Sequence, residues 1–215
     1  MLHELKAITM TQSLRKLLVV LLCLSTASWA TEPPRGTIAS GLYTYDTLGW
    51  TFPIPQQWRL RTKEEIARVR GVGLAALEKH LNAEISDDVE TPLLYLQHEA
   101  RSFCRFTSDA VAYDGRDGND YEKSVQQEFN ALVGAYKTAG LEVSEGRGRV
   151  TIDGIAFRTL HVRLYTPDRR RVIGTFMYFD ALINGLSLSM GYTVDGEGER
   201  TSIHDAVMKS KFRKR

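Results

Sequence analysis

Between Ile155 and Val194 the chain alternates apolar and polar residues through three consecutive segments separated by turn-forming residues. A side-chain period of two is that of a β-strand with one face buried, so three such segments in succession predict an antiparallel meander. Leu160, Val162 and Leu164 share a face of the first segment; Leu186, Leu188, Met190 and Tyr192 share a face of the third, opposite Ser187, Ser189, Gly191 and Thr193. Asn184-Gly185 is the preferred pair for a two-residue hairpin, because both central residues must take positive φ. Thr166 to Arg171 forms the longer connection, and its Arg169, Arg170 and Arg171 are the densest cationic run in the domain. A sheet with one apolar face needs a cover, and the two best helical patterns lie upstream of it.

The first thirty residues stand apart. Arg15-Lys16 precede the apolar run Leu17 to Leu24, and small residues follow up to Ser28-Trp29-Ala30. That order predicts a secretory signal peptide over residues 1–30, with Ser28 and Ala30 flanking the cleavage point and translation starting at Met1 or Met10. The run is far shorter than the roughly 20 residues of a spanning helix, so no membrane span is expected. Leu22 stands before Cys23 where a lipid-attachment signal would want a small residue. Removing residues 1–30 takes away Lys6, Arg15 and Lys16 against Glu4, which leaves 25 charges of each sign. A neutral exported chain offers no footprint for nucleic acid. The expected location is the periplasm or the exterior, where Cys104, the one cysteine left, has no intramolecular partner and reads as a buried strand residue.

Residues 31–40, with Pro33-Pro34 and no periodicity, read as a disordered leader, and a single domain is expected over 41–212 with a basic tail at 213–215. Leu42-Tyr43-Thr44-Tyr45 and Trp50 to Pro55 read as a hairpin, with Pro53 placing the second strand at or near a sheet edge. Thr62-Lys63-Glu64-Glu65 is a capping box opening a helix whose apolar residues run to Leu81. Strands follow at Pro92 to Glu99 and Arg101 to Tyr113. Tyr121, Val125, Phe129, Leu132 and Tyr136 form the stripe of the strongest helix, which Gly140 ends. A Gly-rich turn before Val150, an Asp153-Gly154 hairpin turn and a terminal helix capped at Ser202 complete the chain.

The front signature Trp50-Thr51-Phe52-Pro53-Ile54-Pro55-Gln56-Gln57-Trp58, with this element order and the closing helix Asp205 to Phe212, resembles the PsbP-like and DcrB-like superfamily over about Leu42 to Phe212. The resemblance implies an α+β fold: an α/β/α sandwich with a central, mostly antiparallel sheet, helices on both faces and a C-terminal meander. It also implies accessory, chaperone-like or assembly roles, with no shared catalytic set to carry over.

Direct inspection of the residues finds no nucleophile elbow, zinc-protease helix, phosphate loop or dinucleotide fingerprint. The acidic stretches 84–90 and 114–120 lack the ligand order of a calcium loop. His80, His98, His161 and His204 are scattered, and Ser202, His204 and Asp205 point in different directions from one helical turn. No catalytic residue, cofactor or metal site is therefore expected. Two classes stay open: a non-enzymatic accessory or immunity-type protein that binds another protein, and a hydrolase or small-ligand or metal-binding protein with an unrecognised site. Arg169, Arg170 and Arg171 are the candidate partner-binding residues, since arginine offers bidentate hydrogen bonds to carboxylates. The oligomeric state is left open.

Overall fold

The computed structural model describes residues 36–62, 65–66, 91–113, 121–138, 140–168 and 170–213. The signal peptide with Ser28 and Ala30, the calcium-like stretches, His80 and Arg169 lie outside them.

Eleven strands and two helices are described, in the order β1 (Thr37–Ala39), β2 (Leu42–Tyr45), β3 (Trp50–Pro53), β4 (Trp58–Leu60), β5 (Thr91–His98), β6 (Arg101–Ala112), α1 (Tyr121–Thr138), β7 (Glu142–Ile152), β8 (Ile155–Tyr165), β9 (Val172–Ile183), β10 (Leu186–Val194), α2 (Glu197–Met208) and β11 (Lys211–Phe212). They form a seven-stranded sheet ordered β4-β5-β6-β10-β9-β8-β7 and a four-stranded sheet ordered β1-β2-β3-β11. Every pairing is antiparallel.

The predicted meander is β8, β9 and β10. Its tight turn has Asn184 at φ 52° and Gly185 at φ 80°, and the turn before it has Asp153 at φ 49° and Gly154 at φ 84°. Both are positive-φ pairs whose twist matches that of the flanking strands. Beyond the meander, β10 closes on β6, which is not its neighbour in sequence. β6 and β7 run parallel with β10, β9 and β8 between them, so α1 has to carry the chain across the sheet. At its end Gly140 N–H donates to Lys137 C=O (2.9 Å) and Leu141 N–H to Tyr136 C=O (3.2 Å), as expected of a glycine C-terminus.

Two apolar clusters hold these parts together. Val125, Phe129, Leu132, Val133 and Tyr136 of α1 pack with Leu160, Val162, Leu164, Phe176 and Tyr178. Ile203, Ala206 and Val207 of α2 pack with Trp50, Phe52, Phe106, Phe157, Phe179, Leu188, Met190 and Phe212. In that second cluster the Phe52 and Phe106 rings stack at 4.7 Å, and Trp50 lies between Tyr43 and Phe212. Cys104 belongs to it, buried and free.

The structure corrects four further readings. Thr37–Ala39, placed in the disordered leader, pair with β2 as β1, because the register puts three consecutive residues against Leu42–Thr44. The Gly-rich stretch before Val150 is the middle of β7, where Gly146 and Gly148 keep the ladder to β8 unbroken. The expectation for Pro53 holds: its strand is next to the edge strand β11, which reaches only Thr51 and Trp50, so the proline occupies a locally open flank. Helix α2 begins at Glu197 after Gly196, with no side-chain cap; the Ser202 hydroxyl donates instead to Glu199 C=O within the helix. The same helix stops at Met208, and Lys211–Phe212 form a strand fixed by Phe212 N–H donating to the Asp153 carboxylate at 2.7 Å.

The capping box predicted at Thr62 is present: Glu65 N–H donates to Thr62 Oγ1 (3.2 Å) and Thr62 N–H to Glu65 Oε2 (3.0 Å). The helix read beyond it lies outside the described residues.

Candidate functional site

Where α1 crosses the large sheet, one row of side chains is polar from β6 to the outer strand. Register places Asp109 of β6 opposite Ser189 of β10, Ser189 opposite Asp180 of β9, Asp180 opposite Arg158 of β8, and Arg158 opposite Arg149 of β7. Directly paired antiparallel residues share a face, so these five lie on one side of the sheet. Asp109 and Asp180 are each only 2% exposed.

Among the described residues, the buried carboxylates Asp109 and Asp180 and the half-buried Glu128 each have a phenol as donor. Tyr95 donates to Asp109 at 2.8 Å, Tyr178 to Glu128 of α1 at 2.5 Å, and Tyr121 of α1 to Asp180, which also accepts from Ser187 Oγ at 3.2 Å. Arg158 lies 4.8 Å from the Tyr121 ring centroid and pairs with Glu122, which Arg149 also reaches at 3.3 Å. Burial raises the Glu128 carboxyl to about 7, with neighbouring Asp180 adding to the rise. Burial likewise raises Asp180 to about 6, against the opposing pull of the Tyr121 and Ser187 hydrogen bonds and Arg158. Carboxyls tuned toward neutrality can exchange protons in the physiological range. Here they are also braces between α1 and the sheet.

The sequence reading missed this row. Its signal was an aspartate within a strand otherwise apolar on both parities, Phe176-Met177-Tyr178-Phe179-Asp180-Ala181-Leu182-Ile183, and another in Thr107-Ser108-Asp109-Ala110-Val111.

The β8–β9 connection carries the predicted partner-binding residues, of which Arg170 and Arg171 are described. Thr166 and Asp168 shape it. The Thr166 hydroxyl donates to Asp168 at 2.5 Å, Arg170 N–H donates to Asp168 at 3.1 Å, and Arg171 N–H donates to Thr166 Oγ1 at 3.2 Å. The Thr166 hydroxyl and then the Arg170 amide hold the Asp168 carboxyl below its ordinary range. The Arg170 side chain is 87% exposed, with one 3.6 Å contact to Asp168. The loop is thus folded by its short polar side chains and backbone, which leaves the Arg170 side chain largely exposed.

No family model matches the chain, and no curated protein matches it. Among solved structures the chain is similar to cyanobacterial PsbP (CyanoP) from Synechocystis sp. PCC 6803, with a TM-score of 0.53 over 87% of this chain and 98% of that one, at 10% identity. The fold is PsbP-like. At that identity the likeness concerns the fold alone.

Within this PsbP-like domain the remaining sequence candidates stay apart. Burial pushes the Cys104 thiol up to about 12, and its Sγ lies 3.2 Å from Asp195 Oδ1, so it is a poor nucleophile. Ser202 accepts from Trp58 Nε1 at 3.2 Å, His204 Nδ1 meets the Tyr192 hydroxyl at 3.1 Å, and Asp205 faces Lys209, so these three form no relay. Burial and nearby arginines lower both His161 and His204. His98 Nδ1 accepts from Ala100 N–H at 3.3 Å. Among the described residues no group of three or more His, Cys, Asp or Glu could hold a metal ion, and no helix is long and apolar enough to cross a membrane.

Proposed function

We propose that this chain is an exported, non-enzymatic accessory protein of the periplasm that binds another protein, with the hairpin tip Arg169-Arg170-Arg171 meeting an acidic surface. The observation that carries the reading is the tip itself, where Thr166 and Asp168 set the loop and the Arg170 guanidinium is left 87% exposed. Cations without a folding duty, held on a preformed turn, suit carboxylate recognition. The PsbP-like fold supports an accessory role, and the charged, apolar and small-residue order of residues 1–30 supports export. On the same reading the architecture is an α/β/α sandwich. In support, residues of β8 and β9 that join the α1 cluster are even-numbered, whereas Phe157, Phe179 and Ala181, which join the α2 cluster, are odd-numbered.

The experiment is affinity capture from the native periplasm with the chain and with its Arg169→Glu, Arg170→Glu, Arg171→Glu variant, after N-terminal sequencing of the exported form. Sequencing is expected to begin at Thr31. A protein recovered stoichiometrically by the native chain should be lost from the variant at unchanged melting temperature. Equal recovery by both, with the same salt dependence, removes the tip from the interface. The neutral-range carboxyls Glu128 and Asp180 favour a second reading, a small-ligand or hydrolytic site, which would show as a ligand-induced rise in melting temperature abolished by Asp180→Asn.

A further inference from the structure

Four strands end the two sheets on sides where no further strand is described, and they differ greatly, β11 being only two residues long. β1 and β4 are three residues each, whereas β7 runs eleven residues from Glu142 to Ile152. All eleven pair with β8 in continuous register without a bulge, and residues 144–149 are exposed in succession. Long, flat edges are normally shortened, bulged, broken by proline or covered, since their outer N–H and C=O groups template pairing with another chain. Among the described residues β7 uses none of these devices. It carries charge, but in a pattern that complements itself.

Glu145 and Arg147 lie on one face of β7 and contact each other at 3.2 Å. Between them Gly146 has no atom within 4 Å of where a Cβ would stand. We propose that β7 pairs antiparallel with β7 of a second copy of this chain about a twofold axis at Gly146, setting Glu145 of each copy opposite Arg147 of the other. The two seven-stranded sheets then join into one continuous sheet.

Register follows from strand geometry. Alternate residues of an edge strand aim their backbone groups outward, so two identical antiparallel edges match only when residues of like parity face each other. A twofold at Gly146 satisfies this and gives two Glu–Arg cross-strand pairs. A twofold at Arg147 also satisfies it but sets Arg147 against itself. Around Gly146 the opposing residues are small: Ser144 meets Gly148, so the strands approach without side-chain conflict on that face. Arg149 is drawn toward Glu122 of its own α1 at 3.3 Å, away from the seam. This assembly is independent of the hairpin tip.

The test is sedimentation equilibrium of the purified chain at low ionic strength, with melting temperature recorded for every variant. The native chain should dimerise reversibly. Arg147→Glu, which sets Glu against Glu at both pairs, should weaken the dimer at least about tenfold. The charge swap Glu145→Arg with Arg147→Glu should restore it. A native chain that is monomeric at every concentration, an unchanged constant in Arg147→Glu, or a swap that stays monomeric while melting normally would each overturn the proposal.

Discussion

The two helices lie over very different cores. Beneath α2 the buried surface is aromatic, with Trp50 and Phe52 fully buried, Phe212 closing over them, and hydroxyls such as Ser108, Thr159 and Ser210 rather than carboxyls as its buried polar groups among the described residues. Beneath α1 an apolar half, centred on Phe129, Tyr136 and Phe176, gives way to Glu128, Asp180 and Asp109, each tied to a tyrosine. The difference teaches what each side contributes. An aromatic core stabilises in proportion to the area it removes from water and is indifferent to pH. A core with buried carboxyls binds protons more tightly when folded than when unfolded, so its stability depends on pH.

The largest blow to this contrast falls on the aromatic side. Trp50→Ala, which empties a site 0% exposed, should destabilise the domain by about 3–5 kcal/mol at any pH between 5 and 9, measured by urea denaturation. A loss that varies strongly with pH would show that the two cores are coupled rather than distinct.

The carboxyl side gives a signed effect. Glu128 and Asp180 have folded values of about 7 and 6, above their ordinary 4.5 and 3.8. Folding therefore favours the protonated forms. The stabilisation is full below about pH 4 and is lost as pH rises through the window from roughly 4 to 7, by up to about 3 kcal/mol for each group. Glu128→Gln, which keeps an acceptor for Tyr178 without the charge, should flatten that slope and make the domain relatively more stable at pH 8. A slope unchanged in both Glu128→Gln and Asp180→Asn would place its origin elsewhere.

Cys104→Ser follows, exchanging the thiol for a more polar hydroxyl in the same cluster as Trp50 with Asp195 Oδ1 in reach as its acceptor, so it should cost no more than about 1 kcal/mol, as should Cys104→Ala. Rapid labelling of the native thiol would contradict the burial on which both rest.

At the small end, Arg170→Glu with Arg171→Glu should shift the melting temperature by no more than about 1–2 °C, the scale of a surface change within ±0.5 kcal/mol. A larger drop would mean that the tip arginines hold the hairpin after all.

Much of the fold was legible because it is written in local pattern. Period two gave β8 and β10, Asn184-Gly185 and Asp153-Gly154 gave the tight turns, and the stripe from Tyr121 to Tyr136 with Gly140 gave α1. The exposure of Arg170 and Arg171 was legible too, since both stand in a charged run between two strands. The buried row was not. Asp109, Asp180 and Arg158 are 22 to 71 residues apart in sequence, and nothing near any of them announces the others.

What the sequence determined by itself were the parts whose energetics are local: strand alternation, positive-φ turns, the capping box at Thr62 and the C-terminal glycine of α1. Only the tertiary structure decided that β10 closes on β6, that Gly146 and Gly148 lie inside a strand rather than a turn, and that the last residues leave the helix to pair with β3. Each of these depends on which distant surface is there to be covered. Lys211–Phe212 become a strand because Trp50 and Asp153 offer a ring and a carboxylate, and no pattern within the final residues records either.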